Sequence, residues 1–349
     1  MNDTSMQDFV FDLSHARLSE IVATLGEPSF RVDQVWKALY INLVENPGQI
    51  STLSKSLRTR LASTLSFSHL DLVTRVSSKD GLTIKTLFRL PDGKTLESVL
   101  MRYEERNTLC ISSQSGCAMG CVFCATGQMG FARNLSSGEI VEQVLFYARE
   151  LAAIGQVVTN IVVMGMGEPF HNYDAVLEAI RRLNDPLGFN LGARRFTIST
   201  VGIVPMIRRF SDEKNQVNLA ISLHSATDEQ RSSLLPVNRK YPIKELLDAC
   251  RYYVETTHRR ITFEWALIQE VNDFEQDARE LAALVKGLLC HVNIIPLNPT
   301  RKFTGKSTTH ERALAFQAVL VKNGIPCTIR LRRGLDINAG CGQLASTVQ

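Results

Sequence analysis

The sequence contains neither a long apolar run nor a large excess of charge of one sign. No stretch of about 18 consecutive apolar residues occurs in it, which argues against a transmembrane helix and a membrane partner. The first residues, MNDTSMQDFVFDL, lack the basic region and apolar core of a secretory signal peptide. These absences predict a cytoplasmic protein. There, cysteines are more often metal ligands or catalytic groups than disulfides.

The basic residues are clustered rather than numerous. The formal net charge is only +4, which is well short of a strongly basic nucleic-acid-binding domain. The clusters are Arg194–Arg195, Arg208–Arg209, Arg239–Lys240, Arg259–Arg260, Arg301–Lys302 with Lys306, and Arg330 with Arg332–Arg333. Such pairs suit a phosphate backbone, but solvated charges on loops and helix ends explain many of them equally well. Charge alone therefore leaves nucleic-acid binding open.

Residues 1–108 divide into a helical part and a β part. Three apolar stripes at helical spacing predict an N-terminal helical accessory domain over residues 1–70. Lys55, Arg58 and Arg60 would give its third helix a basic face for RNA, although a plain packing domain explains the pattern as well. Residues 71–108 hold three strand-like runs separated by Asp-Gly turns, which predict a β-hairpin extension.

From residue 109 onward, strand-like and helical segments alternate. Six β–α repeats over residues 109–331 imply a parallel sheet with right-handed crossovers. We expect an α/β protein with a partial (β/α)6 TIM-like barrel, with a doubly wound sheet as the alternative. Either architecture places functional groups at the carboxyl ends of the strands. Ser137 is the expected cap of a helix over 138–154, and residues 332–349 are predicted to form a mobile, glycine-rich tail.

Three of the eight cysteines lie close together. Cys117, Cys121 and Cys124 form a C-x3-C-x2-C pattern after the first predicted barrel strand. Three protein ligands leave one coordination position open for a small molecule, which favours chemistry over a structural role. The spacing alone leaves two candidates, an open iron–sulfur cluster and a zinc ion completed by a distant ligand.

Polar residues follow the later predicted strands. Gly167 and Glu168 follow the second strand in MGMGEP, where glycine lets the backbone approach a ligand. The others are Ser199 after the third strand, Ser222, Leu223 and His224 after the fourth, and Asn298 after the sixth. Any one of them is explained as a turn former or a helix cap. Together they predict a pocket for a polar, amphoteric metabolite.

Seven ordered motifs resemble the RlmN and Cfr group of rRNA adenine methyltransferases, in the radical S-adenosylmethionine (SAM) superfamily. They are CISSQSGCAMGCVFCATGQMGFARNL, MGMGEP, STVGIVP, SLHSATDEQR, VND, IIPLNP and DINAGCGQL. The resemblance implies one [4Fe–4S] cluster held by Cys117, Cys121 and Cys124, whose open iron binds SAM. It also implies that the polar residues at the strand ends line the SAM site.

The resemblance assigns roles to three further residues. Cys341 takes a methyl group from one SAM, and a radical made from a second SAM removes a hydrogen from that methyl. The resulting carbon radical adds to adenine, Glu97 accepts the ring proton, and Cys110 attacks the Cys341 sulfur to release the product and leave a disulfide. From the residues alone, Cys341 is an exposed terminal thiol, Cys110 a buried strand cysteine and Glu97 a surface carboxylate. Cys250, Cys290 and Cys327 are predicted to lie in the core.

The substrate follows from the same resemblance. GQMGFARNL and IIPLNP favour the RlmN side, which implies methylation of C2 of adenosine 2503 in 23S rRNA; some members of that group also modify adenosine 37 of tRNA. The expected partners are RNA and an electron donor such as flavodoxin, acting with a monomer. One alternative is C8 methylation of the Cfr type, which confers resistance to ribosome-targeting antibiotics. The other is a non-catalytic, zinc-stabilised RNA-binding protein.

Overall fold

The computed structural model describes residues 7–345. Residues 1–6 of the predicted helical domain and residues 346–349 of the predicted tail lie outside the described residues. The structure is a mixed α/β fold in which a helical N-terminal region packs against a large sheet covered by helices. No helix within residues 7–345 is long and apolar enough to cross a membrane.

The N-terminal region is helical, as the apolar stripes predict. Its elements are β1 (Asp8–Phe9), α1 (His15–Thr24), α2 (Phe30–Tyr40), α3 (Lys55–Thr64) and β2 (Leu65–Ser66), with β1 and β2 paired in parallel. Ser14 Oγ accepts the Arg17 amide at the start of α1, and Ser54 Oγ accepts the Leu57 amide at the start of α3. Each helix buries its apolar stripe in a core shared with the sheet.

The expected basic face of α3 is mostly used inside the N-terminal region. Arg60 forms an ion pair with Glu27, and Arg58 Nη1 donates to the Gly48 carbonyl oxygen at 2.8 Å. Two of the three predicted RNA-facing cations therefore tie loops to α3. The plainer interpretation, a packing role for these side chains, fits the structure better.

The helical region is joined closely to the helices over the sheet. Trp36 Nε1 donates to Asp185 Oδ2 at 2.9 Å. At Gly138, a Cβ atom would lie 2.7 Å from the Asp12 amide nitrogen. Only glycine permits that approach, because the backbone of the N-terminal segment has little freedom to move away.

The predicted β extension forms one edge of the main sheet. Its strands are β3 (Asp71–Ser77), β4 (Thr83–Arg89) and β5 (Thr95–Arg102), which pair as antiparallel neighbours. The Asp-Gly turns are confirmed, since Gly81 and Gly93 connect these strands with positive φ. The edge continues into the barrel because β5 pairs with the next strand, β6 (Asn107–Cys110).

The remaining elements alternate as the sequence predicts. The strands are β7 (Gln114–Gly116), β8 (Phe131–Asn134), β9 (Asn160–Val163), β10 (Phe196–Thr200), β11 (Asn218–Ser222), β12 (Ile261–Leu267), β13 (Cys290–Pro296) and β14 (Cys327–Ile329). The helices are α4 (Ala125–Met129), α5 (Ser137–Ala152), α6 (Tyr173–Asn184), α7 (Val204–Asp212), α8 (Asp228–Leu234), α9 (Ile243–Thr257), α10 (Glu275–Leu284) and α11 (His310–Lys322).

The strand order decides between the two predicted architectures. The main sheet runs β14-β13-β12-β11-β10-β9-β6-β5-β4-β3, and β6 with β9 to β14 are parallel. The order follows the chain in one direction, whereas a doubly wound sheet reverses it at a switch point. The partial barrel is therefore confirmed, and the carboxyl ends of its strands open on one side.

One local prediction is wrong by a single residue. Ser136, not Ser137, caps α5, because Ser136 Oγ accepts the Glu139 amide while the Glu139 side chain accepts the Ser136 amide. Ser137 is the first residue of the helix, and its hydroxyl donates to Asp12 Oδ1 at 3.0 Å. This contact is a further link between the helical region and α5.

Candidate functional site

A cavity opens at the carboxyl ends of the barrel strands. Ten of the predicted site residues line it: Cys110, Cys121, Cys124, Gly167, Glu168, Ser199, Ser222, His224, Asn298 and Cys341. They come from both ends of the chain and from the strand ends between. The structure thus brings these ten residues together at one edge of the sheet.

The loop with the cysteine triplet is held by its own backbone and by neighbouring elements. The Cys117 amide donates to Gly130 O at 2.9 Å, and the Cys124 amide donates to Cys121 O at 3.1 Å. α4 begins directly after Cys124 and packs back on the loop: a Cβ atom at Gly127 would lie only 3.1 Å from the backbone of Cys121. The three thiols are thus presented by one compact turn.

The electrostatics of the triplet suit a metal centre. Burial raises the pKa of Cys117 to about 12 and also raises the pKa of Cys121, and the negative charge of the neighbouring thiols raises both further. Thiols in such a site ionise when a metal supplies positive charge. Within residues 7–345, no three Cys, His, Asp or Glu side chains are arranged so that they could hold a single metal ion. The donor chemistry of the three thiols, whose charges interact with one another, fits an iron–sulfur cluster.

Glu168 joins two strand ends beneath the cavity. It is buried, its Oε1 accepts the Phe170 amide at 2.9 Å, and its Oε2 accepts the Val201 amide at 2.8 Å. Burial raises the pKa of Glu168 to about 7, against these hydrogen bonds, which lower it. Gly167 has φ +104°, and a Cβ there would lie 2.6 Å from the Gln114 side chain, so the turn requires glycine.

The residues after β11 take two different directions. His224 lies in the left-handed region with φ +59°, and its Nδ1 accepts the Ala266 amide at 2.9 Å. Burial lowers the pKa of His224 to about 3, helped by the Arg231 charge, so the ring is neutral with its proton on Nε2. Ser222 Oγ lies 3.5 Å from Ser199 Oγ. Two polar strand ends therefore meet beside a neutral imidazole.

Leu223 does not share this arrangement. Its side chain is fully buried in the hydrophobic core. Its amide donates to Glu264 O at 3.1 Å, and its carbonyl oxygen accepts Arg231 Nε at 3.1 Å. The structure gives no support for a direct ligand contact by Leu223, because its side chain faces the core and its backbone groups already have partners.

Asn298 faces both the tail and the cavity. Its Nδ2 donates to the Cys341 carbonyl oxygen at 3.0 Å, while Oδ1 is buried without a partner among residues 7–345. A buried acceptor that lacks a donor is rare in native proteins and is expected where a ligand binds. Asn298 Oδ1 therefore fits a cofactor that carries an ammonium or hydroxyl donor. At Gly340, a Cβ would lie 2.7 Å from Asn298 Nδ2, so close approach requires this glycine.

The described part of the tail is attached to the cavity walls. The Ala125 amide donates to Gly342 O at 2.7 Å, and Thr126 Oγ1 donates to Leu344 O at 2.6 Å. Cys341 itself is exposed and lines the cavity. The mobility expected of residues 332–349 stays a prediction. The structure adds that residues up to 345 have defined partners.

Cys110 and Cys341 approach each other across the cavity. Burial raises the pKa of Cys110 to about 12, and the charge of Cys341 raises it further. Although the residue is exposed at the cavity, partial desolvation of its thiol by the cavity walls raises the pKa of Cys341 to about 11, while Arg330 opposes this shift. Cys110 is half-buried rather than a core cysteine, whereas Cys250 and Cys290 are in the core as predicted.

Glu97 is buried next to the cavity rather than on the surface. It is 1% exposed, its Oε1 lies 3.1 Å from Lys85 Nζ, and its Oε2 accepts the Ala345 amide at 2.9 Å. The interpretation as a surface carboxylate is wrong. Glu97 does not line the cavity in this arrangement, and its two oxygens face Lys85 and the tail.

Sequence reasoning missed three charged residues near the thiol pair: Lys85, Glu264 and Arg330. Glu264 and Arg330 line the cavity, and Asn293 Nδ2 donates to Glu264 Oε2 at 2.8 Å. A signal was present for Glu264, which is the one charged residue of the largely apolar strand β12, and buried charges are retained mainly when paired. Arg330 belongs to a basic cluster in the sequence, and nothing in that cluster indicates a position beside the thiols.

Aromatic and basic side chains surround the mouth of the cavity. The guanidinium groups of Arg106 and Arg333 lie 4.3 Å and 4.4 Å from the ring centroid of Tyr103. Arg332 and the 75%-exposed Leu331 also line the opening. Neither Arg106 nor Arg332 forms an ion pair with an acidic side chain of the described part of the chain. Their charges are thus available to an anionic partner.

Family models match two parts of the chain. A model described as the Radical SAM superfamily matches residues 111–285. A second, described as the ribosomal RNA large subunit methyltransferase N-terminal domain, matches residues 10–66. The first covers the cysteine triplet and the strands through β12, and the second covers the helical region.

Relatives match over nearly the whole length. A "Probable dual-specificity RNA methyltransferase RlmN" from Chloroflexus aurantiacus is 48% identical over 97% of this chain and 93% of its own. "Dual-specificity RNA methyltransferase RlmN 1" from Myxococcus xanthus is 47% identical over 100% of this chain and 96% of its own. A solved radical SAM methyltransferase from Sphaerobacter thermophilus has a TM-score of 0.95 and 50% identity, covering 97% of this chain and 100% of that one.

Proposed function

Because the chain belongs to the RlmN family of radical SAM RNA methyltransferases, we propose that it methylates C2 of adenosine 2503 in 23S rRNA. C2 of adenosine 37 in tRNA is the second substrate of this proposal. The observation that carries it is the meeting of Cys110 and Cys341 with Cys121 and Cys124 of the triplet at one cavity. C2 of adenine is too weakly nucleophilic for direct attack on a sulfonium methyl. We therefore expect methyl transfer to need two thiols outside the triplet.

In this proposal Cys117, Cys121 and Cys124 hold one [4Fe–4S] cluster per chain. The cluster, when bound, supplies the single electron that converts SAM into a hydrogen-abstracting carbon radical. Three thiols from the chain leave one iron open for SAM. Asn298 Oδ1, buried without a partner in residues 7–345, is the acceptor we assign to a SAM donor. Gly167, Glu168, Ser199, Ser222 and His224 complete the pocket walls.

The remaining roles fall to three side chains. Cys341 Sγ receives a methyl group, and the carbon of that methyl becomes bonded to C2. Glu97 takes the proton that C2 loses. Cys110 Sγ, as its thiolate, then attacks Cys341 Sγ and forms a disulfide. The bond from that sulfur to the methylene breaks, and the methylene carbon keeps the electron pair and takes up a proton to become the product methyl group. The exposure of Cys341 to the cavity and the closeness of Cys110 support this assignment.

RNA must bring an unstacked adenosine to the cavity, because a ring atom inside a helix cannot be reached. We assign the RNA contact to the mouth formed by Tyr103, Arg106, Arg332 and Arg333. Guanidinium groups can stack on bases and bind phosphates bidentately. The exposed Glu104 and Glu105 in the same turn offset part of this charge. A monomer served by a flavodoxin-like reductant completes the proposal.

Product mapping tests the proposal directly. The anaerobically reconstituted protein is incubated with 23S rRNA, SAM and a reductant, and digested RNA is examined by mass spectrometry. We expect 2-methyladenosine at position 2503, about four iron atoms per chain, and SAM cleavage. Methylation at C8 would replace the C2 assignment. One tightly bound zinc without SAM cleavage would overturn the catalytic proposal.

A further inference from the structure

A buried ion pair connects the β extension to the tail. Lys85 on β4 and Glu97 on β5 lie 3.1 Å apart, with side chains that are 8% and 1% exposed. Removing two charges from water costs several kcal/mol unless each keeps good partners. The pair therefore needs further hydrogen bonds, and both come from the tail.

These bonds fall on either side of Cys341. Lys85 Nζ donates to the Asn338 carbonyl oxygen at 3.3 Å, and Glu97 Oε2 accepts the Ala345 amide at 2.9 Å. Residues 338–345, from the first of these contacts to the second, form the segment that carries Cys341 into the cavity. We call this segment the cysteine loop. One ion pair thus contacts both ends of the cysteine loop.

The same contacts occupy the carboxylate. Oε1 of Glu97 faces Lys85, Oε2 holds the Ala345 amide, and the side chain is almost fully buried. A substrate carbon that must deliver a proton to this group cannot approach while Ala345 is in place. The loop has other contacts, to Ala125, Thr126, Asn298 and Pro299, and none of them involves Glu97. Ala345 is therefore the end whose departure uncovers Glu97.

We propose that Lys85 and Glu97 act as a latch on the cysteine loop, and that withdrawal of the Ala345 amide exposes Glu97 to accept a proton. In the proton transfer the C2–H bond breaks, its electron pair stays with the ring carbon, and the proton moves to Glu97 Oε2. Lys85 is a positioning residue, which holds Glu97 Oε1 and the loop at Asn338 while Ala345 leaves. The catalytic part of this inference rests on the proposed function.

The first test needs neither cluster nor RNA. Amide hydrogen exchange over the cysteine loop is measured by mass spectrometry in the full chain. Lys85→Met is expected to raise the exchange rate of the loop at least about tenfold, because the latch is lost. Thr86→Val is the matched control: Thr86 is on the same strand and accepts the Tyr147 hydroxyl at 2.8 Å, but does not touch the tail. Equal exchange in wild type and Lys85→Met would overturn the latch.

A second variant protects this test against general unfolding. Ala345→Pro removes only the amide that Glu97 accepts and leaves Lys85 in place. We expect faster exchange in the loop near residue 345 and unchanged exchange in β4 and β5. If instead β4 and β5 open together with the loop in both variants, the pair is only a folding contact and the proposal is wrong.

The reconstituted enzyme provides the second readout. Without Lys85, Glu97 loses the partner of its Oε1 and is no longer held in the position from which it would accept the C2 proton. Lys85→Met should therefore still methylate Cys341 but accumulate the covalent protein–RNA adduct, and Lys85→Arg should restore turnover. Equal slowing of both steps would contradict the positioning role. Absence of RNA methylation by wild type would instead reject the proposed function, while the exchange result would still report on the latch.

Discussion

The two walls of the cavity are built differently. On the barrel wall, the Glu168 and His224 side chains accept backbone amides from neighbouring strands and strand ends, and the adjacent Arg231 is fully buried. On the tail wall, Cys341 is carried by a segment that is attached through hydrogen bonds to α4, to the β13 end and to the β extension. The residues proposed for the radical chemistry thus lie on a tightly packed wall. The reacting thiol lies on a segment whose hydrogen bonds can break one at a time.

The largest expected effect separates the chemistry of the two walls. Cys341→Ala should abolish methyl transfer to RNA but retain the iron content and SAM cleavage, because the tail wall is not needed to make a radical. Cys121→Ala should lose all three. Iron analysis, deoxyadenosine formation and RNA methylation are measured on the same samples, with Cys327→Ala as a cysteine control away from the cavity. Loss of SAM cleavage in Cys341→Ala would contradict the division.

Cys110→Ala tests the other thiol of the proposed pair. The enzyme should complete the bond between the Cys341 methylene and the RNA but fail to release it. We expect a covalent protein–RNA adduct that approaches one per chain, visible as a shifted band in a denaturing gel. Free methylated RNA formed at the wild-type rate would show that release needs a different group.

Stability should respond more strongly to the barrel wall. Arg231 donates to the carbonyl oxygens of Leu223, Val201 and Ser222 and to Asn238 Oδ1. Arg231→Met leaves these acceptors buried, so we expect a loss of about 3–5 kcal/mol in the free energy of unfolding. Gln343→Leu, which removes two tail contacts, should lose about 1–2 kcal/mol. Urea unfolding of both variants checks the order, and the reverse order would refute the comparison.

A smaller effect is expected from pH. The folded-state pKa of His224 is about 3, below the unfolded value of about 6.5, so the unfolded state binds the extra proton. Stability from the neutral ring is full above about pH 6.5 and falls as the pH is lowered. Between about pH 7.5 and pH 5, wild type should lose about 2 kcal/mol more than His224→Asn.

The comparison with His224→Asn also removes a competing contribution. Glu168 has a raised folded-state pKa of about 7, so its contribution to the free energy of unfolding increases as the pH falls, opposite to that of His224. That effect is common to both proteins and cancels in the difference between them. Identical pH profiles for wild type and variant would show that the ring is not held neutral.

The smallest effect is expected from a substitution at the mouth of the cavity, measured as a change in RNA affinity. Arg333→Ala removes one of the two guanidinium groups against Tyr103. RNA binding should weaken severalfold, and the salt dependence of the affinity should fall by about one charge. Arg208→Ala is the matched control, because Arg208 packs on Tyr252 on the outer helices. Equal effects of the two changes on RNA affinity would mean that the mouth has no special part in binding.

The sequence predicted the barrel well because its information is local and repeated. Alternating apolar segments, Asp-Gly turns and polar strand ends each constrain a short stretch, and the rule for parallel sheets then brings the strand ends together. Glu168, Ser199, Ser222, His224 and Asn298 were placed in this way. The same reasoning included Leu223, but its side chain lies in the core, because neighbouring residues at a strand end point to opposite faces.

The tail wall was less predictable because its information is not local. Nothing near Glu97 in the sequence shows that its partners are Lys85 and an amide at residue 345. Cys110 and Cys341 are far apart in the chain, and only the resemblance paired them. Gly340 is a further example: glycine was expected to provide mobility, but its lack of a side chain lets Asn298 approach the loop.

Asn298 gives the cavity a two-way dependence. Its amide nitrogen donates to the Cys341 carbonyl oxygen, while its amide oxygen is buried without a partner among residues 7–345. A ligand that donates to the oxygen fixes the orientation of the amide, and the fixed amide holds Cys341 more firmly. By thermodynamic reciprocity, a seated Cys341 must strengthen ligand binding by the same factor. The affinity for this ligand therefore depends on the position of the tail, and we expect it to change whenever Cys341 moves during the reaction.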